Sequence, residues 1–472
     1  MNIKQLVQVT LITLLAVLLL PAQGDSQEQR SKIADTYRDA ADRIIDEALA
    51  DETAFETLTY FGDRFGPRLS GSKSLERSID WLLKEMNKDG FDRIYTQKVM
   101  VPHWVRGEEH ATLLSPREKD LPMLGLGGSI STPKEGIEAE VLVVGSFDEL
   151  RERAAEAKGK IVLYDVPFTS YGETVQYHTQ GAIEAAKAGA VASLIRSVGP
   201  YSMKTPHTGN SRYSDDVKKI PHAAITLEDA AMLHRMQEYG DKIVIRLYME
   251  AQTLPDAESR NVIAEIRGSE KPEEIVVLGG HIDSWDVGQG VMDDAGGCLA
   301  AWEALRIIKK LGLQPKRTIR VVLWTNEENG LRGARKYKEL VQKDGTLDDH
   351  VLAMESDSGV FEPKGFGFSG SDDAYYMVRQ VGQLLERIGA GKITRGGGGA
   401  DIGPLMREGV PGMGLRVDGS RYFWYHHSPA DTIDKLDADD YNKCIATLAV
   451  MAYVVADMDK RLPGETGESN TE

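Results

Sequence analysis

Apolar positions along the chain change their period twice, and the changes divide it. Residues 31–49 repeat with helical spacing, and residues 52–61 continue in that style until Gly66-Pro67 breaks it. Ser74-Leu75-Glu76 opens a second amphipathic stretch in which Ile79, Leu82, Leu83 and Met86 recur on one face. Gly90 stops that helix ahead of an extended run over 93–101.

From 122 to 252 the texture becomes short β-rich runs at 139–145, 160–164 and 242–248. A helix at 182–188, ended by Gly189, lies among them, and Thr226 with Asp229 forms a capping-box-like start for another. After residue 261 strands and helices alternate. The strands fall at 274–279, 318–324, 350–354 and 412–417, and the helices at 297–311, 331–342, 372–388 and 437–457. Near-continuous Val/Ile/Leu strands alternating with helices predict an α/β fold with a mostly parallel mixed sheet flanked by helices. The expected divisions are a leader at 1–24, a first α/β segment at 25–121, a β-rich insert at 122–252, a second α/β segment at 253–462 and a polar tail at 463–472. A chain of 472 residues exceeds what one hydrophobic core usually serves.

The apolar run from Leu6 to Leu20 follows Lys4 and ends in Pro21-Ala22-Gln23-Gly24, the form of a cleaved signal peptide. The run is short for a membrane span, and no later stretch is long and apolar enough for one. A soluble product, exported to the periplasm or secreted, is expected. The formal charge of −17 argues against nucleic acid or an anionic membrane as a partner. Export would permit one bridge between Cys298 and Cys444, but both stand in apolar helical contexts that suit buried thiols.

The candidate chemistry lies just past the ends of the predicted strands, where open α/β sheets place their ligands. His281 follows the strand at 274–279, Glu327-Glu328 follow 318–324, Asp357 follows 350–354, and Tyr425-His426-His427-Ser428 follow 412–417. Imidazoles and carboxylates without cysteine suit zinc, cobalt or manganese in a mixed N/O site. Two metals about 3.5–4 Å apart need a bridging carboxylate. Asp293, in Met292-Asp-Asp-Ala-Gly-Gly297, is placed for that role, and Asp294 is placed to cap the helix that follows. Adjacent residues leaving a strand point in different directions, so one of Glu327 and Glu328 can bind metal while the other faces the attacking water.

His281-Ile-Asp283, Asp293-Asp-Ala-Gly-Gly297, Asn326-Glu-Glu-Asn-Gly330, Glu355-Ser-Asp-Ser-Gly359 and His426-His-Ser428 with Asp431-Thr432 occur in one order. This ordered set resembles the co-catalytic zinc aminopeptidase family, and the insert resembles a protease-associated domain. The resemblance implies two zinc ions per chain, with Asp293 as bridge, His281 and Asp357 on one ion, and Glu328 and His427 on the other. It makes Glu327 the general base and Asp283 a carboxylate that hydrogen-bonds His281. It places Asp294, Glu355 and His426 around the ligands and implies a cis Asp293–Asp294 peptide. The implied activity is exopeptidase cleavage of short peptides, dipeptides with free termini above all, by an enzyme that can work as a homodimer. An aminopeptidase trimming longer peptides would use the same metals. A single-zinc glutaminyl cyclase-like enzyme or a metal-free receptor-like module fits less well, because every ligand position holds a competent residue.

Between the two histidines, the resemblance favours His427 as ligand, because its spacing to Asp431-Thr432 fits the family pattern. Glu355 and Asp357 lie on the same side of an extended chain, and Asp357 is the favoured ligand. The run Gly396 to Gly399 lacks the Lys-Ser/Thr ending of a phosphate loop and is expected to shape the substrate pocket. His103, His110, His178, His207, His222, His234 and His350 have no ligand spacing. Trp285 and Tyr425 stand near ligands and could line a pocket or simply pack.

Overall fold

The computed structural model describes residues 24–464, so the expected leader up to residue 23 and the tail from 465 lie outside the described residues. Four parallel strands form the centre of an eight-stranded sheet, in the spatial order Arg317–Trp324, Lys271–His281, His350–Glu355 and Gly412–Val417. Gln252–Ile266 and then Arg93–Val105 continue it antiparallel on one side. Pro363–Ser369 and Lys392–Arg395 continue it on the other. The sheet is mixed with a parallel core, as the apolar strands predict.

Both faces of the central strands are apolar, with period two. Val276, Leu278, Ile319, Val321, Leu323, Leu352 and Met354 belong to one core, whereas Ile275, Val277, Val322, Trp324 and Ala353 belong to the other. Helices Gly24–Leu49, Gly296–Lys310 and Ala438–Asp457 cover the first face, and Arg332–Lys343 covers the second. Ala438–Asp457 is buried continuously from Cys444 to Ala456, since its small residues let it lie within the layer. Arg332–Lys343 buries only Gly333, Ala334, Tyr337 and Val341, the stripe of a surface helix. Each fully buried Leu, Ile or Val contributes about 1.5–3 kcal/mol, so these two cores dominate the stability. Cys298 and Cys444 are separate buried thiols in the first core.

The insert builds a second eight-stranded sheet. Its inner strands Ile137–Val144, Ile161–Tyr164, Ala192–Arg196 and His222–Ile225 run parallel, helix Gln176–Lys187 lies between the second and third in sequence and helix Leu227–Glu238 follows the fourth, so it is itself α/β as well as β-rich. Thr226 caps the second helix as expected: its hydroxyl accepts from Asp229 N at 3.1 Å and donates to Asp229 Oδ2 at 2.8 Å. The sheet also takes in Glu109–Ser115 and Lys119–Leu121, ahead of the division at 122. That hairpin is polar at alternate positions, so the change of texture shows only after it. Val105 pairs with Gln252, which makes the insert enter and leave on neighbouring rungs of one ladder. Among the described residues no helix is long and apolar enough to cross a membrane.

Strand 363–369 escapes a reading by hydrophobic pattern because Pro363, Gly365 and Gly367 thin out its side chains, and strand 392–395 because Ile393 is its single apolar residue. Glycine is also required inside the central pair of strands. A Cβ on Gly279 would lie 1.8 Å from the carbonyl oxygen of Val322 on the adjacent strand. Gly279→Ala should therefore lower the unfolding free energy by about 1–3 kcal/mol, read from urea denaturation of the apo protein. Unchanged stability would show that the two strands separate at no cost.

Candidate metal centre

The carboxyl edge of the parallel strands gathers the candidate ligands. His281 is the last residue of its strand, and Glu327-Glu328 lie three and four residues beyond Trp324. Asp357 lies two beyond Glu355, and His426-His427 follow the short helix Tyr422–Tyr425. Asp293 sits in the single turn Val291–Ala295 that leads into helix Gly296–Lys310. The Asp293–Asp294 peptide is cis, as the resemblance implies.

The two carboxylate oxygens of Asp293 face opposite imidazoles. Oδ1 lies 3.2 Å from His281 Nε2, and Oδ2 lies 3.4 Å from His427 Nε2. His281 Nε2 is 3.5 Å from Asp357 Oδ1, and His427 Nε2 is 3.1 Å from Glu328 Oε2. Three overlapping sets of donors each lie within 4.8 Å: His281, Asp293 and Glu328; Asp293, His426 and His427; His281, Asp294 and Asp357. Asp293 Oδ2 is buried with no hydrogen-bond partner. A buried anionic oxygen facing imidazole nitrogens and lacking a donor suits a cation, so the residues fit divalent metal. His426 Nε2 also lies 3.5 Å from Asp293 Oδ2, but its ring stacks on His427 at 3.5 Å between centroids.

The surrounding groups hold these donors by backbone contacts. Asp283 differs from expectation: the Nδ1 of His281 meets the Asp283 carbonyl oxygen at 2.9 Å, while the carboxylate is 3.8 Å away. That carboxylate instead accepts from the backbone N–H groups of Glu327 at 3.0 Å and Glu328 at 3.4 Å. It orients the Glu pair, because the tight turn after His281 brings the carbonyl, not the side chain, onto the ring. Asp294 accepts from Gly297 N and His281 N, each at 3.1 Å, and so caps the helix as expected while also fixing the strand end. Glu355 accepts from Ile402 N at 2.8 Å. The glycine run lies against it, since a Cβ on Gly399 would be 2.1 Å from Glu355 Cδ. The run thus supports Glu355 from behind and is absent from the cavity wall, contrary to its expected role.

Asp431 has a role that sequence spacing alone did not reveal. Its carboxylate accepts from the backbone N–H of Val291 at 3.2 Å, Met292 at 2.9 Å and Asp293 at 3.2 Å. On the other side the fully buried Arg68 donates to the carbonyls of Ile282, Gln289 and Gly290. The signal for Asp431 was its place in an ordered motif, whereas Arg68 stands in an unremarkable Gly-Pro-Arg turn.

Burial governs the charges. It pushes the Glu327 carboxyl up to about 8, opposed by the His281 imidazole and reinforced by Asp357, Asp283 and Asp293. Glu328 is raised by burial and by Asp293, and Asp357 by burial against the pull of His281. Burial also acts on Asp293, but the imidazoles of His281, His426 and His427 outweigh it and hold that carboxyl low. His427 is lowered to about 4 by burial, which keeps it the neutral imidazole that a metal requires.

A cavity of about 310 Å³ opens over the centre, walled by Asp293, Glu327, Glu328, Asp357 and His427 from the sheet and by Tyr171, Asn210 and Arg212 from the insert. Two insert contacts reach the ligand loop: Thr208 N donates to the carbonyl of His427 at 2.8 Å, and His207 Nδ1 meets the carbonyl of His426 at 2.7 Å. His207 therefore braces the centre without ligating. His222 and His350 are tied to Ser193 and Tyr337 inside the cores. The Trp285 ring lies 5.5 Å from His427, and Tyr425 packs against the main core.

Comparison with known proteins places both parts of the chain in known families. Residues 261–452 match the model of Peptidase family M28, and residues 135–233 match the PA domain. Carboxypeptidase Q of Xenopus laevis is 53% identical over 431 residues, covering 91% of this chain and 92% of the relative. Carboxypeptidase Q of Homo sapiens is 50% identical over 440 residues, covering 93% of each. The crystal structure of a Peptidase M28 precursor from Shewanella amazonensis superposes with a TM-score of 0.87 at 35% identity, covering 91% of this chain and 99% of that one.

Removing the Asp431 carboxylate leaves three backbone N–H groups without an acceptor. Asp431→Ala should lower stability by about 2–4 kcal/mol and weaken metal binding, measured by denaturation with and without chelator. Wild-type values in both would mean that the 291–293 turn holds itself.

Proposed function

The chain belongs to the carboxypeptidase Q group of Peptidase family M28 and is a metallo-exopeptidase, and on that premise we propose that it binds two zinc ions and hydrolyses dipeptides with free termini. The observation that carries the metal reading is the placement of Asp293, whose two oxygens face His281 and His427 from opposite sides. Asp293 would bridge, with His281 and Asp357 completing one site and Glu328 and His427 the other. His427 is preferred to His426 because it also reaches Glu328 and because the His426 ring is stacked behind it. When bound, such ions polarise a peptide carbonyl and make water more acidic.

The remaining work belongs to the side chains. Glu327 borders the cavity and is held by its own backbone N–H on Asp283, so its carboxylate stands beside the place of attack. It takes the proton of the attacking water and returns it to the leaving amine. A carboxyl raised to about 8 holds a proton readily near neutral pH, and positive charge at the centre favours the ionised form needed to accept it. The insert roofs the site and narrows it to short substrates. Export, periplasmic or secreted, follows from the apolar leader, and a homodimer from the family resemblance.

Glu327→Gln should lower kcat for a free dipeptide by about 10² to 10⁴ fold while zinc content and thermal stability stay at wild-type levels. Near wild-type turnover would remove Glu327 from the mechanism. Metal analysis gives the second test. The wild-type protein should carry two zinc ions per chain and Asp293→Ala at most one, because the substitution takes a ligand from both. Two tightly held ions in that variant would place the bridge elsewhere.

A further inference from the structure

We propose that His207 is a positioning residue for one of the two metal sites: from the insert it holds the ligand loop so that His427 faces Glu328, and the insert thereby sets how tightly that side of the centre keeps its ion. The inference rests on the two-metal reading above and concerns its Glu328–His427 half. The two imidazoles proposed as ligands are held differently. A ligating histidine is ordinarily oriented by a hydrogen bond at its other ring nitrogen. His281 has one, since its Nδ1 meets the Asp283 carbonyl at 2.9 Å, and its backbone N–H donates to Asp294 at 3.1 Å. Both partners belong to the larger sheet and its loops. Asp357 follows Ser356, whose N–H donates to the Gly279 carbonyl on the neighbouring strand at 3.0 Å. His427 Nδ1, in contrast, is buried without a hydrogen-bond partner. The direction of its ring therefore depends on its backbone, and that backbone is left-handed, with a φ of 56°. Residues other than glycine keep such a conformation only where neighbours impose it.

The neighbours that impose it lie in the insert. Thr208 N donates to the His427 carbonyl at 2.8 Å, and His207 Nδ1 lies 2.7 Å from the His426 carbonyl. A carbonyl only accepts, so the imidazole donates. His207 is itself fastened to the second sheet: its N–H donates to Ser197 Oγ at 2.9 Å, and Ser197 Oγ donates to the carbonyl of Ile225, the last residue of its strand, at 2.7 Å. The fit is close, because a Cβ on Gly199 would lie 3.0 Å from the Phe423 carbonyl oxygen and 3.2 Å from His207 Cε1. The Tyr171 ring stacks on Phe423 at 5.3 Å and meets His426 edge-on at 5.0 Å. Glu328 is tied to the same junction. Its Oε1 accepts from Trp285 N at 3.1 Å, and the next residue, Asp286, pairs with Arg106 at the entry to the insert at 2.7 Å. Both ligands of this half are thus aimed by groups that the insert fastens, whereas His281 and Asp357 are held from within the larger sheet. The coupling is reciprocal: an ion that fixes His427 also strengthens the insert's hold on the loop.

The test reads metal affinity rather than turnover. Zinc-loaded wild type, His207→Ala, His207→Asn and Ser211→Ala are titrated with a chelator of known affinity. In His207→Ala one ion should bind about 10- to 100-fold more weakly and the other as in the wild type. Anomalous diffraction from His207→Ala crystals given one equivalent of zinc should find it beside His281, Asp293 and Asp357. His207→Asn, whose amide puts a donor near the place of Nδ1, should recover most of the loss. Ser211→Ala removes a hydroxyl contact with Gly127 in the same stretch of the insert and should leave both affinities unchanged. A second measurement needs no variant: hydrogen exchange at residues 207–208 of the wild type should slow when zinc is bound. Unchanged affinity in His207→Ala, equal weakening of both ions, the same loss in Ser211→Ala, no recovery in His207→Asn, or zinc-independent exchange overturns the proposal. A wild type that binds one ion, weakened in His207→Ala, upholds it and overturns the two-metal count alone; a wild type that binds no zinc overturns both.

Discussion

Mutual repulsion among buried carboxylates is the constraint around which this molecule is organised. Asp283, Asp293, Asp294, Glu327, Glu328, Glu355, Asp357 and Asp401 crowd one edge of the sheet, and burial drives most of them toward the protonated state. Asp293 is the exception, held low by three imidazoles. Such an edge is tolerable only where positive charge or donated hydrogen bonds compensate it. The structure supplies several hydrogen bonds from backbone N–H groups and leaves Asp293 Oδ2, Glu355 Oε1 and both Asp401 oxygens without one; of these, Asp293 Oδ2 faces the imidazoles of His426 and His427. The gap in that compensation marks where cations belong.

Parallel strands make the convergence possible. Successive strands that run the same way end at the same edge, so residues separated by more than a hundred positions arrive together without long loops. Apolar faces on both sides of those strands fix their register, since a one-residue slip would exchange the two cores. Order in the site is therefore inherited from order in the sheet.

Strand ends and their polar successors were legible in the sequence because local pattern and chemistry coincide there: Ile275 to Gly280 announces a buried strand, and His281 is the first polar group after it. The insert's capping box at Thr226 was legible for the same reason. Contacts made across distance were not. Asp283 orients Glu327 and Glu328 through their backbone, His207 braces His426 across 219 positions, and Arg68 ties down a loop more than two hundred residues away. Each depends on which atom a turn happens to present, and neither composition nor spacing encodes that.

The pairing of Val105 with Gln252 makes the whole second sheet an excursion between two neighbouring rungs. A tight turn could join those rungs and leave the larger sheet, its two cores and every metal-facing side chain intact. In topological terms the larger sheet is a continuous unit without the excursion, open on the side where Tyr171, Asn210 and Arg212 now stand. The excursion adds Tyr171, Asn210 and Arg212 to the wall of a cavity whose candidate metal ligands all lie in the other part of the chain. Descent by insertion of one ready-made module into another would leave this signature, the newcomer being tied on through the carbonyls of His426 and His427, the Arg106–Asp286 ion pair and the Tyr171 ring on Phe423 and His426.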